Sequence, residues 1–167
     1  RKKQRGAMRF LSLVYALVAA IAVAPPLCAD DLTALARLDP AASRIGNDGD
    51  GIAIDLALDQ AVPYRAFLMA GPPRLVMDFS EVDFGALRPK AIEEAAGVTD
   101  LGWGPIRPGW SRLVALLDRP YRIGSAEERV AEGGSALIGV RLVPTTEAEF
   151  ARLAAEAVAP EARWSLP

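Results

Sequence analysis

The chain has 167 residues, 51% of them hydrophobic, with 19 basic and 21 acidic side chains, no histidine and a net charge of −2. That length allows one domain with tails. Without histidine, and with a single cysteine at Cys28, the chain cannot assemble a conventional hydrolytic zinc site, a Ser-His-Asp triad or a Cys-His pair.

Residues 1–29 read as an export signal. "RKKQRGAMR" is a basic stretch, Leu13–Ala24 is an apolar run, and "PPLCA" offers a small-residue cleavage site after Ala29. The apolar run is shorter than the roughly 20 residues of a spanning helix. Cleavage and a periplasmic location are therefore expected, without stable membrane insertion. Met8 is a natural start, with Arg1–Ala7 upstream of it. Cys28 lies inside the signal and lacks a lipoprotein pattern before it, so the mature chain is expected to hold no cysteine. Cleavage removes five basic residues and no acidic one, leaving 14 basic against 21 acidic and a net charge of −7. An acidic domain is a poor partner for nucleic acid, whose backbone demands cations.

Residues 30–50 form an N-terminal segment in which "LTALARL" (Leu32–Leu38) suggests a short helix. "GNDGDG" (Gly46–Gly51) reads as a turn; it lacks the later Glu and flanking helices of an EF-hand. From residue 51 the pattern changes to period 2. Ile52, Ile54, Leu56 and Leu58 alternate with Ala53, Asp55, Ala57 and Asp59, as in a half-buried strand. "VPYRAFLM" is a second strand, with Pro63 suited to a strand start or an edge. "AGPP" is a turn. "RLVMDFS" is a third strand, with Leu75, Met77 and Phe79 on one face and Val76 and Asp78 on the other. A connection follows, with one helical turn expected at Ala91–Ala96. "VTDLGWG" reads as a strand and "GPIRPGW" as an irregular turn, since Gly104, Pro105, Pro108 and Gly109 oppose regular structure. "SRLVALLDR", "PYRIGSA" and "ALIGVRLVP" read as strands, with "EERVAEGGS" a polar loop. Thr146 and Glu149 form a capping box. The helix it opens has Phe150, Leu153, Ala154, Ala157 and Val158 on one apolar face and a stop at Pro160. "EARWSLP" reads as a linker.

Pro-Tyr-Arg occurs twice, with Tyr64 and Tyr121 57 residues apart. Around each lies an apolar strand, a Pro-Tyr-Arg strand, a turn and a third strand. This repeat predicts an all-β sandwich of two small pseudo-symmetric antiparallel sheets, with a C-terminal helix leading into a linker.

Three groups of side chains are candidates for function. Tyr64, Arg65, Tyr121 and Arg122 offer aromatic faces and planar guanidiniums to a ligand. They also suit strand packing and cross-strand pairing. Trp103, Arg107 and Trp110 flank the irregular turn, where the indoles can stack on sugar rings and Arg107 can meet a peptide carboxylate. The alternative is that the indoles close the end of the sandwich. Asp78, Glu81 and Asp83, and separately Glu93 and Glu94, are acidic clusters that read as solvated charge at strand ends rather than as a catalytic pair.

"PRLVMDFSEVDF" (Pro73–Phe84), "IRPG" (Ile106–Gly109) and "SRLVALLDRPYRI" (Ser111–Ile123) together resemble the AMIN domain, over about Gly51–Val143. The resemblance implies a non-catalytic sandwich of two similar sheets over residues 51–144, with residues 145–167 a helix and linker. It implies peptidoglycan binding, and placement of a periplasmic zinc N-acetylmuramoyl-L-alanine amidase at division sites. The zinc and its His and Glu ligands would belong to a further domain after Pro167, not to this chain. AMIN domains also occur in secretins, so a protein-interaction module of a secretin or division-complex adaptor, with periplasmic division proteins as partners, is the alternative. The second copy departs from the family pattern, with Ala115-Leu116-Leu117 where an Asp-centred strand is usual.

Overall fold

The computed structural model describes residues 35–85 and 88–162. The export-signal reading of residues 1–29, the linker reading of residues 163–167 and the placement of the Val158 side chain lie outside these residues. The described chain forms strands β1 (Ala36–Arg37), β2 (Arg44–Asp48), β3 (Gly51–Leu58), β4 (Tyr64–Met69), β5 (Arg74–Ser80), β6 (Val82–Asp83), β7 (Val98–Arg107), β8 (Trp110–Leu117), β9 (Tyr121–Val130) and β10 (Ala136–Pro144), then helix α1 (Glu147–Ala162).

Two four-stranded antiparallel sheets result. Sheet I has the order β2-β3-β10-β9 and sheet II the order β4-β5-β8-β7. A short parallel pair, β1 with β6, joins the N-terminal segment to the rest. The expected all-β sandwich with a C-terminal helix is therefore what the chain forms. Its symmetry is interleaved. The chain is four consecutive hairpins, β2–β3, β4–β5, β7–β8 and β9–β10, and sheet I takes the first and last of them. Read from its other edge, sheet II runs β7-β8-β5-β4, the same pattern as sheet I with the two halves of the chain exchanged.

Each Pro-Tyr-Arg segment is where the chain leaves one sheet for the other. Pro63 lies between β3 in sheet I and β4 in sheet II, and Pro120 between β8 in sheet II and β9 in sheet I. Proline supplies no N–H to a ladder, so it suits the one position where no ladder continues.

The core is built by the four central strands. Ile52, Ile54 and Leu56 of β3 and Ile138, Val140 and Leu142 of β10 come from sheet I. Leu75, Met77 and Phe79 of β5 and Leu113 and Ala115 of β8 face them from sheet II, all of them buried. Each large side chain among these contributes about 1.5–3 kcal/mol on burial. α1 begins at the expected cap, where the Glu149 N–H donates to Thr146 Oγ1 at 3.3 Å. It packs Phe150, Leu153 and Ala154 into the core cluster and covers β4 and the start of β9.

Several local expectations are corrected. Ala36–Leu38 is extended and bridged to β6 and Leu58 rather than helical, because β6 offers it a parallel partner. Gly46–Asp48 belongs to β2, and only the tip of "GNDGDG" turns. The helical turn lies at Pro89–Ala91, before the expected position. The residues after it run beside β2, where the Ile45 N–H donates to the Ile92 carbonyl and the Glu94 N–H to the Ile45 carbonyl. β7 stays extended to Arg107 despite Gly104 and Pro105, since it is an edge strand and a bulge lies between Pro105 and Arg107. β9 runs on to Val130 through residues expected to loop, because β10 pairs with it along that length. The helix backbone does not stop at Pro160 but runs on to Ala162.

Candidate functional site

The β7–β8 hairpin carries Trp103, Arg107 and Trp110. β7 is an edge strand of sheet II with no further strand beside it among the described residues, and the two-residue tip of its hairpin is Pro108-Gly109, with Gly109 at φ 74°. A groove of about 1000 Å³ runs between this edge and residues 81–85 with Arg88 and Pro89. Trp103, Arg107 and Trp110 all line it, so the structure brings these three together. Trp103 is half-buried and stacks on Phe84, with ring centroids 5.1 Å apart and planes 15° from parallel. Phe84 meets Phe79 edge-on at 5.7 Å, and Phe79 stacks on Tyr64 at 6.3 Å. A line of four aromatic rings thus connects the first crossing to the groove. At the tip, the Arg107 guanidinium lies 4.8 Å from the Trp110 ring centroid, a cation–π contact.

The groove wall is pinned from below. Ser111 is buried and its hydroxyl donates to the Val82 carbonyl at 2.6 Å. The Glu81 N–H donates to the Gly109 carbonyl at 2.7 Å, and the Glu81 carbonyl accepts from the Ala36 N–H at 2.8 Å. Glu81 is thereby held at φ 56°, the only non-glycine residue in that region among the described residues. Side chains rarely adopt it without a compensating constraint.

A second feature lies on the outer face of sheet II. Asp78 points away from the core yet is only 1% exposed. Its neighbours in register are Arg65 on β4 and Arg112 on β8. Arg65 donates to Oδ2 through Nε at 2.9 Å and Nη2 at 2.6 Å. Arg112 donates through Nε to Oδ1 at 2.6 Å and through Nη2 to Oδ2 at 3.0 Å. Burial alone pushes the Asp78 carboxyl up, but the bonds and charge of Arg112 and Arg65 outweigh it and hold the group below the usual carboxylate value. Both guanidiniums also lie over Phe67, at 4.9 and 5.9 Å. Asp78 is therefore neither solvated nor at a strand end. Glu93 is likewise buried, and pairs with Lys90 at 2.5 Å.

The remaining candidates separate. Tyr121 is 1% exposed; its hydroxyl donates to Asp118 Oδ1 at 3.1 Å and accepts from Arg119 Nε at 3.2 Å. Gly97 makes room for it, since a Cβ there would sit 2.4 Å from that hydroxyl. Tyr121 is a packing residue, with no surface to offer a ligand. Tyr64 is half-buried and packs against the core. Arg122 is exposed, opposite Val143 in sheet I, and does not line the groove. Phe84, Arg88 and Arg112 were not singled out by sequence. Arg112 becomes visible only through strand register, because 34 residues separate it from Asp78.

Among the described residues no group of three or more Cys, Asp or Glu side chains is placed to hold a metal ion. The chain matches no protein-family model and no curated protein.

Proposed function

We propose that this chain is a non-catalytic cell-wall-binding module of the AMIN type, which holds peptidoglycan in the groove beside the β7–β8 hairpin. In this reading it acts in the periplasm and targets a zinc N-acetylmuramoyl-L-alanine amidase carried by a further domain. The observation that carries it is the convergence of Trp103, Arg107 and Trp110 on one open groove. Aromatic faces beside a planar cation suit a polymer of sugar rings and short acidic peptides. Without histidine the chain cannot supply a Ser-His-Asp triad or a conventional hydrolytic zinc site of its own.

The test is co-sedimentation of the full chain with purified cell-wall sacculi. Binding above that of an unrelated acidic protein is expected, with no release of wall fragments. Trp110→Ala is expected to weaken binding about tenfold, since stacking contacts of this kind contribute about 1 kcal/mol or more. Sedimentation equal to the control would sink the reading.

A second reading is favoured by the sheet edges. β7 and β9 end their sheets, and Ile106 and Val130 on them are 45% and 57% exposed. Such edges accept an added strand from a partner such as a secretin or a division protein. Crosslinking in cells that trapped protein partners at Ile106 or Val130, without wall binding, would select this reading.

A further inference from the structure

The groove carries charge of both signs. Glu81 and Asp83 stand on one side, and Arg88 and Arg107 also line it. Among the described residues none of the four enters an ion pair, although most arginines elsewhere do. Four exposed charges around one groove leave both signs open to an occupant. The indoles of Trp103 and Trp110 line the same groove, and indole faces attract cations as well as rings. Glu81 adds a second indication. Its backbone is held in the left-handed region by bonds to Gly109 and Ala36, where glycine would sit without strain. A carboxylate kept at such a position is the kind of strain that accompanies a functional side chain.

We infer that the groove recognises a zwitterionic amino-acid terminus, with Glu81 and Asp83 receiving the ammonium and Arg107 and Arg88 the carboxylate. This rests on the wall-binding reading and narrows it. Of the two parts of peptidoglycan, the glycan has acetylated amines and so carries no ammonium, with lactyl carboxylates only where the peptide is missing, whereas a stem peptide ending in a diamino acid presents an ammonium and a carboxylate on one carbon. Charge complementarity selects the peptide. Arg107 forks onto the carboxylate, and the Trp110 ring that supports its guanidinium fixes its direction.

The probe is a soluble wall tripeptide ending in diaminopimelate, titrated into the full chain and used to compete with sacculi. Acetylating the distal ammonium, or amidating the distal carboxylate, is expected to weaken binding at least tenfold. Glu81→Gly keeps the backbone conformation and removes the carboxylate. It is expected to weaken the free peptide tenfold and leave the acetylated one unchanged, with the unfolding midpoint equal or higher. Arg107→Gln is expected to do the same for the amidated pair. If the acetylated and free peptides bind alike, or peptide-free glycan strands compete better, the inference is overturned while sedimentation with sacculi keeps the wall reading. If the tripeptide binds with the stated dependence and sacculi do not sediment, the wall reading falls and the groove chemistry stands. If neither binds, both fall.

Discussion

At the first crossing between the sheets, Tyr64 stays half-buried and stacks on Phe79, while Arg65 turns outward to the buried Asp78. At the second, Tyr121 is fully buried in a knot with Asp118 and Arg119, while Arg122 faces solvent opposite Val143. The same three residues thus fix the tyrosine in one copy and the arginine in the other. The difference lies in what each copy finds across the strand. β5 offers Arg65 an aspartate in register, and β10 offers Arg122 a valine. Gly97 leaves room for the Tyr121 hydroxyl. Topological symmetry therefore specifies where the chain crosses, and local partners decide which side chain is immobilised there.

The strongest way to break this contrast is Asp78→Ala. It leaves Arg65 and Arg112 facing each other without the anion between them. Removing one member of a fully buried pair costs about 3–5 kcal/mol. Arg65 and Arg112 are 49% and 31% exposed, so water relieves part of that, and a loss of about 2–3 kcal/mol in chemical denaturation is expected. On the opposite face Arg141 and Asp55 pair at 2.9 Å, but both are about one-third exposed. Asp55→Ala is expected to cost about 0.5 kcal/mol. Equal losses at the two sites would show that the asymmetry has no energetic meaning. The acid limb gives a second readout. The Asp78 carboxyl is lowered on folding, so its contribution is complete above about pH 4, the ordinary aspartate range. It is lost as pH falls from there through the folded value. Wild type is expected to lose stability over that window, and Asp78→Asn to lose less.

Hydroxyl deletion sharpens the other half of the comparison. Tyr121→Phe removes the partner of Asp118 and Arg119 and is expected to cost about 1 kcal/mol. The Tyr64 hydroxyl makes no hydrogen bond among the described residues, so Tyr64→Phe is expected to change the unfolding midpoint little. The reverse order would place the immobilised tyrosine in the wrong copy.

The alternation of β3, β5 and β8 made the core legible, because period-2 burial follows directly from strand geometry. The repeat made the two sheets legible as well. The interleaving was not, since nothing local in "VPYR" says that a chain changes sheets there. The groove was half legible. Trp103, Arg107 and Trp110 announce themselves by size and spacing, whereas Glu81 and Arg88 join them only because β6 and the turn at Pro89–Ala91 lie beside the edge strand β7. Asp78 was placed on the correct face and given the wrong environment. An outward strand position is read as wet, and only the register of Arg65 and Arg112 shows that two guanidiniums cover it.

The smallest effect tests the tyrosines by pH. Both phenols are raised above the ordinary value. For Tyr64 the cause is burial first, then the negative charge of Glu128 and Glu127. For Tyr121 it is burial, with Asp118 adding to it and Arg119 opposing. A raised phenol contributes stability that is complete below the ordinary tyrosine value of about 10 and is lost as pH climbs through the folded value. The chain is therefore expected to lose stability on the alkaline side of pH 10. Ultraviolet titration of phenolate separates the copies, with Tyr64→Phe and Tyr121→Phe used to assign them. Replacing Glu127 and Glu128 together by Gln is expected to lower the Tyr64 midpoint and leave Tyr121 where it is. The two glutamates sit on β9, the second copy's crossing strand, and reach the first copy's tyrosine across the gap between sheets. An unmoved Tyr64 midpoint would confine each tyrosine's environment to its own crossing. A shift would show the two copies in electrostatic contact from β9 to β4.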